Sequence, residues 1–207
     1  MQAIKLCQRE VPADSKQTNL IIGPVALIKQ WEMEIKKKLK SEHRLSVFLL
    51  HQKKVSYNQI KGYDVVLTTY GSVASEWRQY QNHIEQRKGS EGYDPAHDEP
   101  LQVKCPLIHP RSRFHRVILD EAQCIKNKET QSSKGAHLIE ATYRWCLTGT
   151  PMMNGVQELF PLIRFLRIKP YCEQKRFTDV GVPCISSSKC EANMRNTVLQ
   201  RPHHWQD

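Results

Sequence analysis

Two adjacent carboxylates, Asp120 and Glu121, are the residues of this chain whose types and spacing point most directly to chemistry. They follow a short aliphatic run, residues 117–119, of the kind that forms a buried parallel strand. The pair is then expected at the carboxyl end of a strand, where open α/β sheets bind ligands. There one carboxylate can hold Mg²⁺ while its neighbour orients an attacking water, as phosphoryl transfer requires. A surface Asp-Glu pair that happens to follow a strand is the alternative interpretation.

A second group of polar residues follows the next apolar run of the sequence. Residues 143–147 predict a short strand, which leads into Thr148-Gly149-Thr150-Pro151. Gly and Pro force the chain to turn, so the two threonine hydroxyls become available at the strand end. Two adjacent strands that both end in polar side chains at the same sheet edge build a site. We therefore expect the threonine corner to lie beside the two carboxylates.

The elements that must position these residues alternate along the chain. Short apolar runs at residues 20–22, 45–50 and 65–67 predict strands. A helix is expected after residue 24, and further helices are expected at residues 73–88, 134–140 and 156–167. Strands that alternate with helices imply an α/β fold with a mostly parallel sheet and right-handed crossovers. Trp31 falls on the apolar face of the first of these helices, and we interpret it as a core anchor rather than a DNA contact.

Composition restricts the partners and the compartment. The chain has 207 residues with 31 Lys and Arg against 21 Asp and Glu, a formal charge of +10 that favours a polyanionic partner. No stretch approaches the roughly 18 apolar residues that cross a bilayer. The seven cysteines form no Cys-x-x-Cys pair, which is typical of reduced thiols in a cytosolic or nuclear protein.

Taken in order, these segments resemble the SWI/SNF-type helicase-like ATPases of superfamily 2, and within them the fungal-type members of the branch that contains RING-bearing DNA-repair translocases. The resemblance covers residues 1–177. Five stretches carry it: residues 19–31 resemble motif Ia, 63–70 motif Ib, 120–127 motif II, 147–154 motif III, and 159–171 the helical segment that follows. The fold that the resemblance implies is a P-loop NTPase, RecA-like lobe with a mostly parallel sheet, incomplete at its N-terminus, and with a surface insertion at about residues 89–113.

The resemblance also implies roles, and ATP and Mg²⁺ as ligands. Asp120 would hold Mg²⁺, Glu121 would position the hydrolytic water, and Gln123 would sense the γ-phosphate region. Motif III would couple hydrolysis to movement between two lobes, through Thr148, Gly149, Thr150, Pro151 and Asn154. Pro24, Thr68 and Thr69 would contact double-stranded DNA, although strand propensity alone also explains the two threonines.

Two parts of the family pattern are missing from the sequence. The chain contains no Gly-x-x-x-x-Gly-Lys-Ser/Thr segment, the main phosphate cradle of such NTPases, and no second lobe. Residues 178–207 show no sustained period, and we expect them to be disordered or out of frame. The tail's Cys184, Cys190, His203 and His204 are too irregularly spaced for a zinc site, and we expect no structural metal. Our hypothesis is that the chain is a gene-model fragment.

Three functions remain open at this point. The first is part of a nuclear DNA-dependent ATPase or translocase that acts on DNA or chromatin, in remodelling or repair. The second is a catalytically inactive fragment, because we expect no ATP turnover from these 207 residues alone. The third is a lobe of a DEAD/DEAH-type RNA helicase, whose motif III usually reads Ser-Ala-Thr rather than the Thr-Gly-Thr-Pro of residues 148–151.

Overall fold

The sheet is parallel throughout. A computed structural model describes residues 17–39, 44–51, 55–89, 92–152 and 155–181. Five strands pair in the order β2-β3-β1-β4-β5, which confirms the predicted α/β class. The strands are β1 (Asn19–Gly23), β2 (Val47–Leu50), β3 (Val65–Thr69), β4 (Arg113–Asp120) and β5 (Glu140–Leu147).

Helices connect the strands and cover both faces of the sheet. They are α1 (Val25–Lys38), α2 (Tyr57–Ile60), α3 (Tyr70–Arg87), α4 (Glu99–Lys104), α5 (Gln131–Leu138), α6 (Phe160–Leu166) and α7 (Gln174–Arg176). Single turns of 3₁₀ helix occur at Pro95–His97, Ala122–Ile125 and Val156–Leu159, and Phe177–Gly181 is a π-helical turn. Within the described residues, none of the helices has the length and apolar character needed to cross a membrane.

Several helix boundaries differ from the sequence prediction, two of them for clear local reasons. The helix expected at residues 134–140 starts at Gln131, because the Thr130 side chain accepts a hydrogen bond from the Ser133 amide and caps it. Glu140 already belongs to β5. The helix expected at residues 156–167 is a 3₁₀ turn followed by α6, which ends at Leu166 because Arg167 adopts a left-handed conformation with φ 57°.

Two apolar layers hold the sheet. One face packs Ile21, Leu67 and Ile118 against α1 through Ile28 and Ile35. The other face, larger, packs against α3, α5 and α6. Helices α3 and α5 meet closely at Gly135, where an added Cβ would lie 2.8 Å from a Val73 methyl and 2.9 Å from the Val73 carbonyl oxygen. A larger residue at position 135 would therefore push the two helices apart.

The segment expected as a surface insertion, residues 89–113, contributes to the core. Leu101, Cys105, Leu107 and Ile108 are buried in the larger apolar layer. The Glu76 carboxylate of α3 accepts a hydrogen bond of 2.9 Å from the Leu107 amide. This part of the chain is therefore fastened to α3. Most of its charged residues, such as Glu99, are exposed, whereas Asp98 is buried. Residues 182–207, most of the predicted disordered tail, lie outside the described residues.

Candidate functional site

Four strand ends meet at one rim of the sheet. Gly23 at the end of β1 is in register with Thr69 at the end of β3. Asp120 at the end of β4 is in register with Leu147 at the end of β5. Because β1 also pairs with β4, the rim runs in the order β3, β1, β4, β5. The sequence prediction that the carboxylates and the threonine corner emerge side by side from neighbouring strands is confirmed.

The chain turns sharply between the two carboxylates. Glu121 has φ 51° and ψ 54°, a left-handed conformation that is uncommon for a residue with a Cβ. Its amide donates to Asp120 Oδ1 at 3.1 Å, which ties the turn to the preceding side chain. A 3₁₀ turn, Ala122–Ile125, follows at once. Backbone strain of this kind clusters at functional sites, and here it falls between two carboxylates that are adjacent in sequence.

Gln123 connects the acidic corner to the threonine corner. Its side-chain amide donates to Glu121 Oε2 at 2.7 Å, and its Oε1 accepts from the Thr148 hydroxyl at 2.6 Å. Thr148 Oγ1 in turn accepts from the Thr150 amide at 3.2 Å. The result is a continuous chain of hydrogen bonds from the carboxylate after β4 to the turn after β5. All four residues are half-buried or exposed, so this hydrogen-bond network borders solvent.

Two aromatic side chains hold Asp120, and sequence reasoning assigned neither to the site. The Trp31 indole N–H donates to Asp120 Oδ2 at 2.6 Å, and the Tyr70 hydroxyl donates to the Asp120 carbonyl oxygen at 2.8 Å. Trp31 packs in the α1 layer, as the interpretation as a core anchor requires, but its polar edge faces the site. The donor lies 89 residues from its acceptor, and no local pattern reports such a contact.

The three residues assigned to DNA are placed on the same rim but in different environments. Pro24 is half-buried at the start of α1. Thr68 and Thr69 are almost fully buried. The Thr68 hydroxyl donates to the Leu50 carbonyl at 2.9 Å, and the Thr69 hydroxyl accepts from the Ser72 amide and caps α3. Both hydroxyls are thus engaged within the fold.

The remaining residues of the threonine corner are only partly placed. Gly149 and Thr150 are exposed and Pro151 is half-buried. Asn154 lies outside the described residues. A bridge of 3.3 Å between Lys126 and Glu158 links the segment after the carboxylates to the segment after the threonine corner. The two corners are therefore joined on their outer side as well as through Gln123.

Burial shapes the chemistry next to the carboxylates. The pKa of Tyr70 is raised far above its ordinary value, first by burial and then by nearby Cys124 and Cys146, with Asp120 and Glu121 adding smaller contributions. Its hydroxyl therefore remains a hydrogen-bond donor over the physiological range. Burial and the charges of Glu121 and Asp120 also raise the pKa of the Cys124 thiol, which stays protonated near neutral pH.

The donor set suits Mg²⁺ better than a softer metal. Each oxygen of the Asp120 carboxylate accepts one hydrogen bond, from Trp31 and from Glu121, which leaves acceptor capacity on both. Mg²⁺ is usually bound by one or two carboxylates and completed by water and substrate phosphates. Over the part of the chain that the structure describes, no three His, Cys, Asp or Glu side chains are grouped to hold a metal by themselves. Asp120 and Glu121 fit the role of a partial magnesium site.

Comparison with known sequences gives a family match over nearly the whole chain. The SNF2-related domain matches residues 1–201. An uncharacterized ATP-dependent helicase of Schizosaccharomyces pombe is 40% identical over 94% of this chain, and the ATP-dependent helicase ULS1 of Saccharomyces cerevisiae is 35% identical over 87%. The DNA repair protein RAD5A of Arabidopsis thaliana is 36% identical over 74%. This chain spans 18%, 12% and 13% of the length of those three proteins, respectively.

Solved structures agree with the sequence matches. The Sulfolobus solfataricus SWI2/SNF2 ATPase core in complex with dsDNA is 25% identical, with a TM-score of 0.55 over 84% of this chain and 30% of its own. The ATPase core domain from the same organism, at 22% identity, shares the fold with a TM-score of 0.58 over 99% of this chain and 36% of its own. On the family match and the identities to its relatives, this chain belongs to the SNF2-related domain family.

Proposed function

We propose that this chain supplies the magnesium- and water-handling part of the ATP site in a DNA-dependent ATPase of the helicase-like kind. One observation carries the proposal: the hydrogen-bonded chain Glu121–Gln123–Thr148 joins two neighbouring strand ends beside Asp120. This series of hydrogen bonds forms only if the acidic corner and the threonine corner lie at the same rim and keep a fixed distance from each other. A surface Asp-Glu pair without a function does not require it.

Each residue of the rim has a task that its geometry supports. Asp120 would hold the Mg²⁺ that accompanies ATP, and that ion would neutralise charge on the phosphates. Glu121, which has a left-handed backbone and accepts a hydrogen bond from Gln123, would orient the attacking water. Gln123 accepts from Thr148 and donates to Glu121, so a shift of the turn after β5 reaches the water-orienting carboxylate. Thr148, Gly149, Thr150, Pro151 and Asn154 together form the coupling element.

Double-stranded DNA is the proposed partner of the part of the rim that follows β1 and β3. The formal charge of +10 favours a polyanion, and the Sulfolobus solfataricus relative was solved in complex with dsDNA. Pro24 lies at the surface of the β1–α1 corner. Thr68 and Thr69 contribute indirectly in this proposal, because their hydroxyls fix the neighbouring β3–α3 corner rather than face a ligand. A DNA-acting enzyme with reduced thiols and these relatives belongs in the nucleus, acting on chromatin or in repair.

A second candidate is a polypeptide without turnover of its own. The 207 residues contain no Gly-x-x-x-x-Gly-Lys-Ser/Thr segment, the usual cradle for the ATP phosphates. The rim residues alone bind the metal end of ATP and not the rest. The family match favours both candidates over a lobe of a DEAD/DEAH-type RNA helicase.

ATP hydrolysis by the complete gene product that contains these residues tests the proposal. We expect hydrolysis that requires Mg²⁺ and is stimulated by duplex DNA more than by RNA. The 207-residue chain is assayed in parallel, and we expect no turnover from it. Hydrolysis that is absent with any nucleic acid, or stimulated by RNA alone, would overturn the proposed function.

A further inference from the structure

Asp120 is held from both faces of the sheet at once. Trp31 reaches its carboxylate from the α1 side, where the indole packs with Ile21, Ile28 and Ile118. Tyr70 belongs to the opposite apolar layer and bonds the Asp120 carbonyl oxygen. The side chain of Asp120 is therefore held by α1, and its main chain is held by α3. These two helices pack on opposite faces of the sheet.

We infer that Trp31 and Tyr70 are positioning residues for the magnesium-binding carboxylate, a role that rests on the proposed function. An aspartate at the end of a strand has several side-chain rotamers open to it, and only some direct an oxygen toward a bound cation. The 2.6 Å bond from Trp31 to Oδ2 and the 3.1 Å bond from the Glu121 amide to Oδ1 select one of them. Partners of this kind, which orient a ligand without touching the metal, typically change metal affinity or activity about 10–100-fold when lost.

The rigidity of the two donors supports the inference. Trp31 has only two side-chain torsions, and its ring is half-buried in the α1 layer. Tyr70 is only 9% exposed, and its hydroxyl is held on the Asp120 carbonyl oxygen at 2.8 Å. Both residues also follow strand ends of the rim, Trp31 within the helix after β1 and Tyr70 directly after β3. Movement of either corner is thereby transmitted to Asp120.

The hydrogen bond is tested first in the 207-residue chain by the indole N–H resonances in a ¹⁵N–¹H spectrum. The sequence contains four tryptophans, and Trp31→Phe assigns one resonance by removing it. We expect Asp120→Ala to shift the Trp31 resonance upfield and to leave that of Trp77 in place. Trp77 is the control because it stacks on Tyr80 in α3. A Trp31 resonance that does not respond to Asp120→Ala overturns the inference.

The positioning role is tested in the complete gene product by the Mg²⁺ concentration that gives half-maximal ATP hydrolysis. We expect Trp31→Phe to raise it about tenfold, with the rate at saturating Mg²⁺ largely recovered, and Tyr70→Phe to raise it two- to threefold. Trp77→Phe is expected to leave it unchanged. Tyr70→Phe removes a single oxygen, so it serves if Trp31→Phe does not fold.

The outcomes separate this inference from the function on which it rests. An active wild-type protein whose Mg²⁺ requirement is the same in Trp31→Phe, Tyr70→Phe and Trp77→Phe overturns the positioning role alone. A wild-type protein without Mg²⁺-dependent hydrolysis overturns the proposed function, whatever the indole spectrum shows. A raised requirement in the first two variants and not in the third supports the inference.

Discussion

Two polar clusters of this molecule contain similar residue types but have different roles. The rim cluster consists of Asp120, Glu121, Gln123 and Thr148, all half-buried at the carboxyl ends of β4 and β5. The residues that we call the buried cluster lie where α3 meets the segments on either side of α4. His83 and Tyr93 bond Asp98 before α4, and Glu76 bonds the Leu107 amide after it. Glu76, His83 and Asp98 are each less than a tenth exposed.

The two aspartates show what separates the clusters. Asp98 accepts hydrogen bonds from His83 at 2.7 Å, Tyr93 at 2.9 Å and the Leu101 amide at 2.9 Å, so its carboxylate is enclosed by donors. Asp120 accepts one hydrogen bond on each carboxylate oxygen and borders solvent. A carboxylate enclosed by donors fixes the fold, whereas one that is held but not saturated can take a cation.

The largest expected effect belongs to the rim cluster. Glu121→Gln removes the charge that polarises the attacking water, and we expect DNA-stimulated ATP hydrolysis by the complete gene product to fall by roughly 10²–10⁴-fold. The thermal midpoint of unfolding should stay within experimental error, because Glu121 is half-buried and its bond from Gln123 survives the change. A variant that hydrolyses ATP at the wild-type rate would remove Glu121 from the mechanism.

In the buried cluster, a substitution is expected to lower stability rather than activity. Asp98→Ala leaves the buried His83 ring without its partner and removes the cap of α4, and we expect a loss of about 3 kcal/mol in the free energy of unfolding. Asp94→Ala is the matched control, because Asp94 pairs with His97 in an exposed bridge of 2.6 Å. Exposed pairs contribute little to stability, so we expect a much smaller loss in Asp94→Ala.

Chemical denaturation of both variants at pH 7 makes the comparison. Equal losses in Asp98→Ala and Asp94→Ala would show that burial does not distinguish the two pairs.

Burial by itself would raise the pKa of Asp98, but the bonds from His83, Leu101 and Tyr93 outweigh it and bring the pKa to about 2. The stability that Asp98 contributes is therefore complete above about pH 4 and is lost as the pH falls toward 2.

Glu76 gives the buried cluster the opposite dependence on pH. Burial raises its pKa from 4.5 to about 8, against the bonds from the Leu107 and Ile108 amides. A carboxyl with a raised pKa stabilises the fold fully below its unfolded pKa, and this contribution is lost as the pH rises through its folded pKa. We expect Glu76→Gln to gain at least about 1 kcal/mol relative to wild type between pH 5 and pH 8.

Denaturation midpoints at pH 5, 6.5 and 8 measure this gain. Gln keeps an oxygen that can accept from the Leu107 amide, so the fold tolerates the change. Glu85→Gln is the control, because the Glu85 side chain is 75% exposed in its bridge with Lys88. Parallel pH profiles for wild type and Glu76→Gln would mean that Glu76 is charged in the folded protein at neutral pH.

The two clusters also differ in how far the sequence predicted them. The rim cluster was predicted because each of its corners is local: carboxylates after one apolar run, threonines after the next. Parallel pairing then places both corners together, as the register of Asp120 with Leu147 confirms. Its two aromatic anchors were missed, since Trp31 and Tyr70 lie 89 and 50 residues from Asp120.

The buried cluster was not predicted at all. Tyr93 and Asp98 lie within a segment rich in Gly, Pro, His and charge, which favoured the interpretation as a surface insertion, and their partners lie in α3. Buried charged pairs escape patterns of hydrophobicity, because the polar residues that they bury look like surface residues in sequence. The strands were predicted to within a few residues for the converse reason, namely that their apolar runs are continuous.

The smallest expected effect concerns the link between the two corners of the rim. Thr148→Val keeps the shape of the side chain and removes the hydroxyl that donates to Gln123 at 2.6 Å. One hydrogen bond at a half-buried site contributes about 1 kcal/mol, so we expect a loss of that size or less in stability.

If the bond couples the threonine corner to Glu121, DNA stimulation of hydrolysis should fall several-fold in Thr148→Val while the rate without DNA changes little. Thr130→Val tests the alternative of general destabilisation, since Thr130 caps α5 and its hydroxyl bonds Asn127 and Ser133 rather than a residue of the rim cluster. Loss of the cap lowers stability by a similar amount. Equal loss of DNA stimulation in both variants would mean that the rim cluster responds to stability rather than to its own hydrogen bonds, and the contrast between the clusters would then vanish.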